Sequence, residues 1–123
     1  MTENAVTIAA VGDFMLDRRP KSGDIDAVRA FLAGSDVTIA NVDTVLSDRG
    51  TPVPKWANLR GPREAAADLR AMGFDLIAMA NNHAMDFRAE GMLDTRRAYA
   101  EAGLIGVGAG ENLAAEVDRK SVV

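Results

Sequence analysis

Four short apolar runs, separated by segments of helical period or by glycine- and proline-rich chain, set the rhythm of this sequence. Residues 6–11, 37–41, 74–80 and 104–107 are too short for helices and too continuous for half-solvated strands, so each reads as a buried β-strand. Between them the spacing predicts a helix over Ile25 to Leu32, with Asp24 as N-cap and Gly34 just past its end. Gly61-Pro62 opens a second helix with proline in its first turn, an inward stripe of Ala65, Ala66, Leu69 and Met72, and Gly73 as its stop. A third covers Glu90 to Ala102, carrying Met92, Leu93, Tyr99 and Ala100 toward one face and ending at Gly103. SDRGTPVPKW, residues 47–56, is loop, and a last helical turn is expected after Gly108, Gly110 and Asn112.

The unit of helix, glycine and apolar strand occurs twice, in LRAMGFDLIAMA and AYAEAGLIGVGA. Strands alternating with helices imply right-handed crossovers in a largely parallel sheet with covering helices, an α/β fold. In such a sheet the ligand site lies beyond the carboxyl ends of the strands, where successive loops converge. Three of the expected strands end there in polar groups: Asp13 after the first, Asn41 and Asp43 after the second, and Asn81, Asn82, His83 and then Asp86 after the third. Carboxylate, amide and imidazole together suit Mn, Fe or Zn, as in two-metal hydrolytic sites. Each residue also has a plainer use: Asp13, Asn41 and Asp43 in turns, Asn81, Asn82 and Asp86 as helix caps, and His83 as a hydrogen-bonded side chain without metal. Their convergence on one sheet edge is what favours a site.

Composition narrows the classes. The 123 residues are 48% hydrophobic with a formal charge of −4, enough for one cored domain and poorly suited to a nucleic-acid backbone or an anionic membrane as main partner. Cysteine is absent, which removes disulfides, thiolate metal sites and cysteine nucleophiles. MTENAVTIAAVGD has no cationic leader, and its apolar run is too short for a signal or a membrane span, so the chain as written is expected in the cytoplasm. An upstream anchor would instead make it membrane-associated or extracytoplasmic. Lys55, Arg60 and Arg63, around Trp56, suit an anionic substrate, against the plainer reading of a solvated basic loop. GVGAGEN departs from the dinucleotide-binding spacing, and Ser22, Ser35 and Ser47 lack a nucleophile-elbow context.

VGDFMLDR, IANVDTVLSDRGTPVPKW and the long segment from GPREAAADLRAMGFDLIAMANNHAMDF to GVGAGEN together resemble the amino-terminal part of the CapA family, bacterial capsule-synthesis proteins associated with poly-γ-glutamate and similar to calcineurin-like metallophosphoesterases. The resemblance runs from about Val6 to Ala115, and NNH-x-x-D after an apolar strand is its most specific element. It implies a fragment of an αββα sandwich whose complete form holds two divalent metal ions (Mn, Fe or Zn) and hydrolyses a phosphoester or amide-type bond. By the same resemblance Asp13, Asn41, Asp43 and Asn82 hold metal and His83 protonates the leaving group or stabilises charge; to this the spacing of the two residues adds Asp86 as the group expected to orient His83. Asp43 stands where the family has glutamate, one methylene shorter. The family's later histidines lie in a missing carboxyl-terminal half, so this chain alone is expected to bind metal weakly or not at all. The alternative is a non-catalytic component binding an anionic polymer in capsule assembly through Lys55, Arg60 and Arg63. Residues 1–117 are expected to form the family's amino-terminal part, and DRKSVV, residues 118–123, a non-native tail that translates a stretch of a common sequencing adapter.

Overall fold

A computed structural model describes residues 4–112 of the chain. The last helical turn expected beyond Asn112 and the tail at 118–123 lie outside the described residues. Within them the order is β1 (Ile8–Phe14), α1 (Ser22–Leu32), β2 (Val37–Val42), β3 (Val45–Leu46), β4 (Arg60–Gly61), α2 (Ala65–Ala71), β5 (Leu76–Ala78), α3 (Arg88–Glu101) and β6 (Ile105–Val107).

The four expected strands are β1, β2, β5 and β6, and they form one sheet in that order with every pairing parallel. Strands laid down sequentially with crossovers of one hand place all their helices on a single face. Leu32 of α1, Ala66 and Leu69 of α2, and Ala98 and Tyr99 of α3 accordingly share one core with Ala40 and Ile77 of the sheet. Gly73 and Gly103, at φ of 101° and 84°, end their helices in the left-handed region and turn the chain straight into β5 and β6, which accounts for the repeated unit.

The opposite face has no helix against it among the described residues. Registry puts Ile8 beside Val37, Ala10 beside Ile39, and Leu76 beside both Ile39 and Ile105, an apolar row open to solvent. Ile8 is 61% and Ile105 37% exposed, and Val37, Ile39, Leu76 and Ala78 are only half-buried although they lie on inner strands. The expectation of a fully buried first strand is therefore corrected. β1 is an edge strand with cover on one face, and its side chains alternate between half-buried and exposed over most of its length.

Other boundaries shift for local reasons. α1 begins at Ser22, with Lys21 at the cap and Asp24 in the first turn, where a carboxylate still favours the positive end of the helix. Pro62 lies one turn ahead of α2, its carbonyl accepting the Ala65 N–H at 3.0 Å, because Gly61 is committed to β4. Ala98 takes the buried place expected of Ala100 on α3, and Ala100 is exposed. The β3–β4 pair, two residues on each strand, carries no legible period and brings the two ends of the long loop together.

Candidate functional site at the strand ends

The site begins with an irregularity. In β1, Val11 pairs with Ala40 and Asp13 with Asn41, so Gly12 is an unpaired extra residue that shifts the register. A β-bulge of this kind reverses which face the following side chain meets. Unbroken alternation from Val11, which packs on the core, would turn Asp13 toward the helices. With the bulge Asp13 shares a face with Asn41, and Phe14 packs inward against Phe74 at a ring-centroid separation of 5.6 Å.

Asn41 Nδ2 donates to Asp13 Oδ1 at 2.7 Å and to Asp43 Oδ1 at 2.9 Å, holding the two carboxylates on either side of one amide. Its Oδ1 accepts from Asn81 Nδ2 at 3.2 Å, and the same Nδ2 donates to the Val42 carbonyl at 2.9 Å. Asn81 Oδ1 in turn accepts the His83 backbone N–H at 3.1 Å. His83 and Asp43 also line one small cavity, with Thr44, Met92 and Tyr99 among its other walls. Asp13, Asn41, Asp43 and His83 are thus brought together from three strand ends.

Asn82 is placed otherwise. Its side chain is exposed, beside an open cleft walled by Met85 and Gly108, and Asn81 is the amide that reaches Asn41. Extending the period of β5 from Ala78, which pairs with Asn41, selects positions 80 and 82 for that face. The strand stops at Ala78, however, and the Asn81 N–H closes a tight turn on the Met79 carbonyl at 2.9 Å, rotating Asn81 inward. An Asn-Asn pair at a strand end was the only signal for Asn81, and sequence alone does not choose between the two.

The imidazole Nδ1 of His83 meets Asp86 Oδ2 at 2.7 Å, the arrangement expected of an orienting carboxylate. Asp86 has a fully buried side chain that also accepts the Leu59 N–H at 2.7 Å and pairs with Lys55 Nζ. Burial pushes this carboxyl up, but the bonds from Lys55, Leu59 and His83 outweigh it and hold the group below the usual carboxylate range. Lys55 Nζ further donates to the Asn82 carbonyl at 2.9 Å. The turn at residues 81–87 joins α3 at Arg88, whose φ of 61° is a left-handed conformation uncommon outside glycine.

The other two cations expected to meet substrate have internal partners. Arg60 Nη2 donates to the Arg49 and Gly50 carbonyls at 2.5 and 3.1 Å, and its guanidinium stacks 3.5 Å from the Phe87 ring centre. Arg63 bridges Asp94 and Glu101 on α3 at 3.5 and 2.7 Å. Trp56 stands 99% exposed at the tip of the loop.

The hard oxygen donors of Asp13, Asp43 and Asn41 match a divalent cation in type, but not in number. Among the described residues no three His, Cys, Asp or Glu side chains are grouped closely enough to hold an ion, and structural or catalytic sites need three or four protein ligands. The described residues alone do not complete such a site.

A parallel α/β layer, helices on one face and polar side chains gathered at its carboxyl edge, defines the class: a fragment of the metallophosphoesterase-like kind. The chain belongs to the family of bacterial capsule synthesis proteins PGA_cap, which matches residues 7–122. It is 35% identical over 117 residues to an uncharacterized protein of Sinorhizobium fredii, covering 88% of this chain and 25% of that protein. It is 33% identical over 119 residues to the capsule biosynthesis protein CapA of Bacillus anthracis, covering 87% and 29%. With the PGA biosynthesis protein CapA of Bacillus subtilis it shares 29% over 122 residues, covering 91% and 32%. The chain therefore spans between a quarter and a third of the length of these relatives. No helix among the described residues is long and apolar enough to cross a membrane.

Proposed function

We propose that the chain is the amino-terminal part of a metal-dependent hydrolase that acts on a phosphoester or amide-type bond in capsule or poly-γ-glutamate metabolism. The observation that carries this reading is the continuous hydrogen-bonded path from Asp13 through Asn41 and Asn81 to His83, joining three strand ends at one edge of the sheet. Asp13, Asn41 and Asp43 would contribute oxygen ligands, with Asn81 or Asn82 as the amide of the third strand, and the remaining ligands would come from chain beyond this segment. Mn, Fe or Zn, two ions in the complete protein, would supply an activated water when bound. His83, its Nδ1 held by Asp86, keeps Nε2 as the free ring nitrogen for proton delivery to a leaving group or for stabilising developing charge.

The alternative, a non-catalytic component that binds an anionic polymer, draws less support, because Arg60 and Arg63 are tied to carbonyls and carboxylates of the chain itself. The test is metal content and turnover of a chromogenic phosphodiester by the full-length protein, with and without chelator. Turnover lost on chelation and lowered about 100-fold or more by His83→Ala, the scale of general acid catalysis, supports hydrolysis. Polymer binding indifferent to chelator and to His83→Ala, without turnover, would replace it with the alternative.

A further inference from the structure

We infer that Lys55 is a positioning residue for His83, acting through Asp86 rather than on substrate: its ammonium anchors the buried carboxylate against the imidazole Nδ1, and so decides which ring nitrogen is left free. The catalytic meaning of this assignment rests on the hydrolytic reading above; its test does not.

Geometry carries the inference. Asp86 is the point where the loop at residues 47–59 is fastened to the turn that bears His83. Its carboxylate takes the Lys55 ammonium on Oδ1, and the Leu59 N–H and His83 Nδ1 on Oδ2, while its own carbonyl accepts the Val53 N–H at 2.9 Å. Lys55 adds a second clasp on the same turn through the Asn82 carbonyl at 2.9 Å. Its amine is thereby committed to two acceptors within the chain, where a substrate-binding lysine would project to solvent. A carboxylate out of contact with water needs compensating charge, and Lys55 is the cation that supplies it directly.

The consequence falls on the imidazole. A carboxylate is an acceptor only, so Nδ1 beside it must carry the proton, and in the neutral ring Nε2 then holds the lone pair. A free histidine side chain in water prefers the opposite tautomer, with the proton on Nε2. Removing the Lys55 charge leaves Asp86 buried with no neutralising cation, which favours its neutral acid or its retreat toward water, and either releases Nδ1.

His83 is the only histidine of this chain, so its two ring nitrogens give an unambiguous nitrogen-15 NMR pattern. At a pH where the nitrogen-15 shifts themselves report a neutral ring, the tautomer is read directly. The wild-type chain is expected to show a protonated Nδ1 and an unprotonated Nε2. Lys55→Arg, which keeps the charge, should retain that pattern, and Lys55→Met, which keeps the length without it, should move the ring toward the Nε2–H form. A folded Lys55→Met protein with the wild-type pattern overturns the assignment. So does an unprotonated Nδ1 in the wild type, a result that needs no variant to fold. A tautomer result against Lys55 leaves hydrolysis standing, whereas an inactive full-length protein with the expected tautomer removes hydrolysis alone.

Discussion

Asp86 concentrates more consequence than any other side chain of the site, since one buried carboxylate receives a lysine, an imidazole and a backbone N–H. Asp86→Ala is expected to cost about 3 kcal/mol or more, the scale of breaking a buried ion pair from one side, read from the denaturant midpoint of unfolding. Acid should act on the same bonds. Asp86 and Asp94 both lie below the ordinary carboxylate range in the folded chain, Asp94 because the Ser47 hydroxyl and Arg63 outweigh a burial that by itself raises it. The folded state therefore binds fewer protons than the unfolded one near the usual carboxylate value of about 3.9, and stability rises with pH there. Their stabilisation is present above that value and is lost as pH falls through the lowered folded values. Melting temperature followed from about pH 6 down to about pH 3 should drop for the wild type and drop less for Asp86→Asn, which has no charge to lose. An equal acid response in the two would detach Asp86 from it.

At the scale of elements, two glycines place the site. Gly12 makes the bulge that turns Asp13 to the side of Asn41. Deleting it should remove the bulge yet leave Asp13 next after Val11, still on the face of Asn41, so the full-length protein should keep more metal uptake, measured by calorimetry, than Asp13→Ala does. A deletion that costs as much uptake as Asp13→Ala would mean that sharing a face with Asn41 is not what places the ligand. Gly50 is where the long loop presses on the start of α3. At φ of 82° it needs the left-handed region, and an added Cβ would lie 2.0 Å from the Phe87 carbonyl oxygen, a fixed backbone atom. Gly50→Ala should therefore lift the loop, detach Lys55 and Leu59 from Asp86, and make the Leu59 amide exchange faster with solvent than that of Ile77 in the sheet.

For the molecule as a whole, one face of the sheet matters most. Ile8, Ile39, Leu76 and Ile105 form an apolar row that no described helix covers, and the chain spans less than a third of the length of the curated relatives it matches. Exposed apolar area of this extent favours association. The isolated chain is expected to sediment as dimers or larger species, and Ile8→Lys together with Ile105→Lys should shift it toward monomer without lowering its helix content. A wild-type chain that is monodisperse and monomeric, with a cooperative melt, would contradict this.

Sequence by itself determined the four strands of the main sheet and the three helices, the parallel α/β class and the edge at which polar groups collect, because these follow from local period, from glycine at helix ends and from the handedness of crossovers. It also singled out His83 with Asp86, three residues apart on one turn. Only the tertiary structure decided that β1 is an edge strand, that a bulge aims Asp13, that Asn81 rather than Asn82 reaches Asn41, and that Lys55 is spent on Asp86 while Arg60 and Arg63 are engaged elsewhere. Those outcomes depend on which surface each residue meets after strands far apart in sequence have paired. Register and long-range charge pairing leave no trace in local spacing.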